Sequence, residues 1–225
     1  MGAGRLLVFE GAEGAGKSTQ IAMLAQALRG RGVPHLVVRE PGGTPAGERI
    51  RALLLDPAQD MVATTEALLF LASRAELVTT VIRPALDDGQ LVIADRFFLS
   101  TYAYQVAGRG LPEEAVQSAN QFATGGVAPD LTILLHHHAA AGLARADRRG
   151  ARDRIERAGD NFHRAVEAAF DRFAEPGWQA EHPECGPIVA IDGGGEPDAV
   201  FDRVTAVLAA RWPDTFPSLR WSDAE

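Results

Sequence analysis

The sequence holds one cysteine, Cys185. A single thiol excludes an intramolecular disulfide and fits a reducing, cytoplasmic setting. No apolar stretch reaches the length of a bilayer span, and no secretory hydrophobic segment follows Met1, so membrane insertion and secretion are not expected. Met1-Gly2 opens like a myristoylation signal, but Leu6 stands where that signal needs serine or threonine. A surplus of positive charge is also missing. The 30 acidic and 22 basic side chains give a net charge of −8, which argues against nucleic acid or an anionic membrane surface as partner. Basic residues that do cluster are therefore informative. Internal repeats and dividing linkers are absent too, and 225 residues at 46% apolar content suit one sizeable domain.

What is present is alternation. Five short runs rich in Val, Ile and Leu stand out: Leu6–Phe9, His35–Val38, Leu91–Ala94, Leu131–Leu135 and Ile188–Ile191. They are too short for helices, and several are apolar throughout, as strands buried on both faces are. Helical patterns lie between them, at about 17–30, 45–55, 64–86, 112–124, 140–148, 160–174 and 197–211. This order predicts an α/β fold of three layers, a five-stranded parallel sheet between helices. The domain is expected over 1–211, with an irregular tail at 212–225. The one low-complexity piece is His136-His137-His138 followed by Ala139-Ala140-Ala141. Three consecutive histidines cannot all face one site, so a specific metal site there is not expected.

Gly11-Ala12-Glu13-Gly14-Ala15-Gly16-Lys17-Ser18 satisfies G-x-x-x-x-G-K-[ST]. Chance alone supplies that pattern in roughly 1 in 100 chains of this length at average residue usage. Its setting sharpens it: an apolar strand precedes, and a helical pattern with Ile21, Leu24 and Leu28 on one face follows. Glycines let successive N–H groups turn inward onto phosphate oxygens, and the helix presents its positive end to the same anion. Lys17 then reaches the β and γ phosphates of ATP, and the Ser18 hydroxyl ligates Mg²⁺. Leu91-Val-Ile-Ala94 leads into Asp95. An aspartate after a strand is a common turn residue, but beside a phosphate loop it is the expected partner for Mg²⁺ or its waters.

Several further motifs follow in order: Phe9-Glu-Gly-Ala-Glu-Gly-Ala-Gly-Lys-Ser-Thr19, Arg39-Glu-Pro-Gly-Gly-Thr44, Glu66-Ala-Leu-Leu-Phe-Leu-Ala-Ser-Arg74, Asp95-Arg-Phe97, Ser100-Thr-Tyr-Ala-Tyr-Gln105, Pro129-Asp-Leu-Thr132, and Arg145 through Asp153-Arg-Ile-Glu156. In this series the chain resembles bacterial thymidylate kinase over roughly residues 5–211. The resemblance implies the nucleotide-kinase version of the P-loop NTPase fold, a homodimer, and a short helical lid at about 143–157. It also implies transfer of the γ-phosphoryl of ATP to dTMP.

Residue roles follow from the same resemblance. The ATP side is Gly11 through Thr19 with Arg145 over the adenine. On the acceptor side Phe70 stacks on the base and Arg74 reads it. Thr101 and Gln105 face the base, and Tyr104 walls the sugar's 2′ edge. Arg51 and Arg96 grip the acceptor phosphate, with Glu40 near the metal and phosphates. Glu13, whose charge repels ATP phosphates, bonds the sugar's 3′-hydroxyl. Read from the residues alone, Phe70 and Arg74 share a helix face and suit a base, although core packing explains Phe70 as well. Arg39, Arg51 and Arg96 near strand ends suggest an anion site, although a surface salt bridge explains Arg39 equally.

The phosphate loop carries no arginine, whereas Arg145-Ala-Asp-Arg148-Arg149-Gly-Ala-Arg152-Asp-Arg154 puts five in ten residues of an acidic chain. The expectation is that Arg149 and Arg154 act, with Lys17, Arg96 and Asp95, in catalysis, Arg148 being a weaker candidate. A solvated helix face is the plainer reading of such a run. His136 departs from the family pattern, which has Asp or Asn after the fourth strand. Two other functions stay open at this point: a kinase for another pyrimidine nucleotide such as dUMP or CMP, and a P-loop ATPase or switch with no second nucleotide site.

Overall fold

The computed structural model describes residues 4–136 and 153–216. The apolar runs are strands β1 (Arg5–Glu10), β2 (His35–Arg39), β3 (Leu91–Asp95), β4 (Leu131–His136) and β5 (Ile188–Asp192). They form one sheet in the order β2-β3-β1-β4-β5, parallel at every pairing. Side chains alternate along a strand. In β1, Leu6 and Val8 enter one apolar cluster while Leu7 and Phe9 enter another on the opposite face. A sheet covered on both sides therefore requires unbroken apolar runs. β2 lies at the sheet edge, and there Val37 is 44% exposed.

One face is covered by α1 (Lys17–Gly30) and, near the C-terminus, a helix at Pro197–Arg211. The other face and the sheet's rim carry α2 (Pro45–Leu55), α3 (Ala63–Leu77), α4 (Arg83–Asp87), α5 (Phe98–Thr101), α6 (Glu113–Thr124), α7 (Asp160–Phe173) and α8 (Pro176–Glu181). The last helix, Pro197–Arg211, is α9. No helix among the described residues is long and apolar enough to cross a membrane.

Four local expectations need correction. The pattern at 64–86 is not one regular helix: between α3 and α4 lies a widened π turn, Val78–Ile82. Pro84 in the first turn of α4 lacks an N–H and cannot continue a regular ladder; the wide turn takes up the break. The segment after Asp95 is also helical, α5 running directly into a π helix at Tyr102–Gly108. Packing continues past Arg211, where the sequence reading ends the domain: Trp212 and Phe216 are buried in the second apolar cluster, and Arg5 lies over the Trp212 ring. Finally Cys185 is fully buried, although its neighbours Glu181-His-Pro-Glu184 and Gly186-Pro187 are polar or turn-forming and give no apolar pattern. The helical pattern at 140–148 and most of the expected lid lie outside the described residues.

The strand register fixes the site. Phe9 and Arg39 both stand opposite Asp95, so Glu10, Glu40 and Arg96 leave the sheet together at its carboxyl edge. Open α/β sheets bind ligands at that edge.

Candidate active site

Gly11 has φ 140°, and a Cβ on it would lie 2.4 Å from the Leu135 carbonyl oxygen. Only glycine fits, because β4 passes directly behind the loop. Gly16 caps α1 in the left-handed region. The resulting curl leaves Lys17 buried, its Nζ donating to the carbonyls of Gly11 (2.8 Å) and Ala12 (2.9 Å). Burial, reinforced by the Arg96 charge, pushes the Lys17 amine down to about 7. Ser18 is exposed on the first turn of α1, and its hydroxyl donates to Asp95 Oδ2 at 3.1 Å. Thr19 is exposed beside it, whereas Ala15 is buried behind the loop.

A cleft of about 320 Å³ opens in front of this loop. Its walls include Glu13, Gly14, Lys17, Ser18 and Asp95 together with Phe70, Arg74, Thr101, Tyr104 and Gln105, and also Glu40, Arg51 and Arg96. The residues expected on the acceptor side and on the phosphate side thus share one cavity. Ser18 and Asp95 are the hard oxygen donors that suit Mg²⁺, which is typically held by one or two carboxylates together with substrate phosphates. Among the described residues no group of three or more His, Cys, Asp or Glu is placed to hold a metal ion by itself. His136 ends β4 and pairs with Asp171 at 2.5 Å; His137 and His138 lie outside the described residues.

Arg96 is the only non-glycine residue with a positive φ, 74°, among those described. Such conformations cost about 1–3 kcal/mol and cluster at functional sites. The conformation is held by Glu10, a fully buried carboxylate that accepts from Phe97 N–H (2.7 Å), Ser100 N–H (3.0 Å) and the Ser100 hydroxyl (2.7 Å). With its proton committed to Glu10, Ser100 Oγ accepts from Arg96 Nη1 at 2.9 Å. Arg96 also donates to the Gly11 carbonyl and to the Tyr104 hydroxyl, at 3.2 and 3.3 Å. Burial works against the Arg96 charge, but Tyr104, Glu10, Asp95 and Glu13 hold it above its ordinary value. Burial likewise pushes the Tyr104 phenol up. The Tyr104 hydroxyl lies 3.4 Å from Glu13 Oε1, so the two residues expected at the acceptor sugar are neighbours.

Arg74 is 3% exposed, and all five of its N–H donors are engaged: Glu40 Oε2 twice, Thr101 Oγ1, Asn120 Oδ1 and the Phe97 carbonyl. The expectation that it reads a base is corrected to that extent. It first builds the cleft floor, and a base can only share a donor already in use. Beside it, Glu40 Oε1 and Asn120 Nδ2 are buried with no hydrogen-bond partner among the described residues, and burial raises the Glu40 carboxyl against the pull of Arg74. Phe70 is only half-buried and lines the cleft, unlike the fully buried aromatics of the core. Arg51 donates to the Pro41 carbonyl at 2.8 Å. Arg39 pairs with Glu48 at 2.9 Å, both half exposed, as the salt-bridge reading has it.

Arg154 is corrected more strongly. It does not point at the phosphate loop. Its Nη1 lies 2.7 Å from Glu66 Oε2 and its Nε donates to the Leu54 carbonyl, because a buried carboxylate attracts the nearest guanidinium. Arg145 and Arg149 lie outside the described residues. The site also contains groups that the sequence reading passed over. Glu10 is signalled by an acid ending an apolar strand. Asp153 and Glu156 line the cleft and form a reciprocal D-x-x-E turn, each accepting the other's backbone N–H. Glu66, quoted only as part of a motif, is fully buried.

Known proteins match this arrangement. The family model described as thymidylate kinase matches residues 9–181. A thymidylate kinase of Deinococcus radiodurans is 49% identical over 211 residues, covering 94% of this chain and 99% of its relative. One from Carboxydothermus hydrogenoformans is 40% identical over 205 residues, covering 91% and 97%. The crystal structure of thymidylate kinase from Ehrlichia chaffeensis superimposes with a TM-score of 0.72 at 29% identity, over 92% of this chain and 99% of the other.

Proposed function

This chain belongs to the thymidylate kinase family and is an ATP-dependent dTMP kinase, and we propose that the cleft at the carboxyl edge of β1, β2 and β3 is where it transfers the γ-phosphoryl of ATP to dTMP. The observation that carries this assignment is the one cavity lined both by phosphate-loop residues and by Phe70, Tyr104 and Gln105. A switch or simple ATPase needs no second nucleotide site beside its phosphate loop. The test is ADP formation with and without dTMP, dUMP and CMP. Formation that depends on dTMP supports the assignment, and acceptor-independent hydrolysis removes it.

In this reading the loop amides and Lys17 hold the β and γ phosphates. Arg96 and Arg51 hold the acceptor phosphate in line with them, since both guanidinium groups face the same cleft. Phosphoryl transfer is accelerated chiefly by positioning and by charge placed where the moving oxygens gain it. Ser18 and Asp95 would hold Mg²⁺, which supplies further neutralisation of phosphate charge. Phe70 offers its ring to the base. Tyr104 and Glu13 meet the sugar, the phenol at the 2′ edge and the carboxylate at the 3′-hydroxyl. The wild type is therefore expected to prefer dTMP to its ribo-analogue by about tenfold or more, a range within reach of shape exclusion. Steady-state kinetics on the pair should show Tyr104→Ala narrowing that gap; equal efficiency on both sugars in the wild type removes Tyr104 from this role.

Arg149 remains the proposed lid arginine for the transferred group. Arg154 has a different expected signature. Arg154→Ala should lower the melting temperature, from lost charged hydrogen bonds worth about 1.5–3 kcal/mol, with kcat falling much less than in Arg149→Ala. A kcat loss in Arg154→Ala equal to that of Arg149→Ala would return it to the phosphoryl group. The enzyme is proposed to act in the cytoplasm as a homodimer. Phe122 on α6 is 91% exposed, and Val62 and Leu68 at the neighbouring α3 are 70% and 58% exposed, an apolar surface suited to a second copy.

A further inference from the structure

Glu66, Phe70 and Arg74 are four residues apart along α3, so one helix face carries all three. Phe70 and Arg74 line the cleft. Glu66 lies a turn earlier, fully buried, and gathers three side chains from two segments. Arg109 forks onto it, Nε to Oε1 at 3.0 Å and Nη2 to Oε2 at 2.9 Å. Arg154 reaches Oε2. Gln105 Nε2 donates to Oε1 at 3.1 Å.

The Gln105 contact has a directional consequence. A carboxylate only accepts hydrogen bonds, and the arginines around Glu66 hold its carboxyl below the ordinary range although burial opposes this. The end of the Gln105 amide that faces Glu66 must therefore be the NH₂ group. The carbonyl is the other end of the amide, on a residue that lines the cleft, and no hydrogen bond from the described residues reaches it. A free glutamine can rotate to offer either a donor or an acceptor. Next to Glu66 one N–H is committed to the carboxylate, and the amide cannot turn its oxygen to that side, so the acceptor keeps to the opposite end. Thymine and uracil carry an N–H at N3, whereas cytosine carries a bare lone pair there, which an acceptor repels.

We propose that Glu66 is a positioning residue for acceptor recognition: it fixes the Gln105 amide so that its carbonyl oxygen is presented to the imino N–H of a thymine or uracil base. This rests on the dTMP-kinase reading above. Glu66 does not touch the substrate and acts through Gln105. A polar group held in the orientation that a substrate needs discriminates more sharply than one free to turn, because the wrong partner leaves it unsatisfied.

The test is a double-mutant cycle read in the KM for dTMP and in the ratio of kcat/KM for dTMP over dCMP. Glu66→Gln lets the two amides pair in either direction. It should raise the KM for dTMP about tenfold and shrink the dTMP-to-dCMP ratio. Gln105→Ala removes the oriented acceptor, and Glu66→Gln should add nothing further to either quantity in that background. Glu66→Asp retains the charge that Arg109 and Arg154 need while drawing the carboxylate back from Gln105 by one methylene. It should show the same selectivity loss in a folded protein, which keeps the test available if Glu66→Gln fails to fold. Equal effects of the Glu66 substitution with Gln105 present and absent would mean a merely structural role and would overturn the proposal. Wild-type protein that turns over no dTMP would instead overturn the kinase reading itself, an outcome visible before any variant is made.

Discussion

Lys17→Ala is expected to lower kcat by about 10³-fold or more while the protein stays folded. The size follows from the chemistry: groups that place positive charge on a transferring phosphoryl contribute about 10³–10⁵ in rate, and little else in the loop carries charge. Folding should survive because the Lys17 amine bonds only to the Gly11 and Ala12 carbonyls of its own loop and supports no apolar packing. Lys17 is also the sole lysine among the 22 basic side chains. Arginine serves everywhere else, so the lysine here reflects a local need. A compact ammonium fits between two loop carbonyls, whereas a planar guanidinium is wider and spreads its charge. Lys17→Arg should therefore fail to restore turnover. Single-turnover phosphoryl transfer, alongside circular dichroism, checks both variants. A folded Lys17→Ala protein with near-normal turnover would end the assignment of this loop.

The second large effect is expected at Arg96, where side chain and backbone can be separated. Arg96→Ala removes the guanidinium that Gly11, Ser100 and Tyr104 aim into the cleft. Turnover with dTMP should fall about 10²–10³-fold, the usual loss when one oriented charge or donor is removed. Alanine still has a Cβ at φ 74°, so the strain stays. Arg96→Gly loses the same guanidinium but adopts that φ freely. The two variants should be equally inactive, yet the glycine form should be the more stable by about 1 kcal/mol. Thermal melts together with kinetics decide this. An active alanine variant would show that Lys17 and the metal suffice, and equal melting temperatures would show that the backbone is not strained there.

Much of this was readable from the chain because it is local. The phosphate loop is a contiguous pattern whose chemistry is written in its spacing. The strands show as apolar runs because a sheet covered on both faces has no polar side. Asp95 shows because it ends such a run. What escaped is long-range. Arg74 has Glu40 and Asn120 as partners, 34 and 46 residues away, and Arg154 meets Leu54 at a separation of 100; no short window of sequence contains any of these three pairs. The π helix at Tyr102–Gly108 also escaped, because its register departs from the 3.6-residue period on which helical patterns are recognised. Its effect is to send Tyr102 to Glu184 behind the cleft, at 2.5 Å, while Tyr104 and Gln105 line the cleft itself. Glu10 carried a visible signal, an acid closing an apolar strand, but its task of bracing Arg96 across 87 to 90 residues did not.

The cleft floor around Arg74 also bears on how firmly the enzyme is folded. Glu40 Oε1 and Asn120 Nδ2 have no partner among the described residues, and each such buried polar atom opposes folding by about 1–3 kcal/mol. A domain of ordinary stability has a margin of only about 5–15 kcal/mol. A core shaped for stability alone would be apolar here, like the clusters on either side of the sheet. If the cleft binds the acceptor as proposed, it is the part of the molecule where stability and turnover pull in opposite directions, and the apolar packing around β1 and β3 is what lets the cleft remain polar.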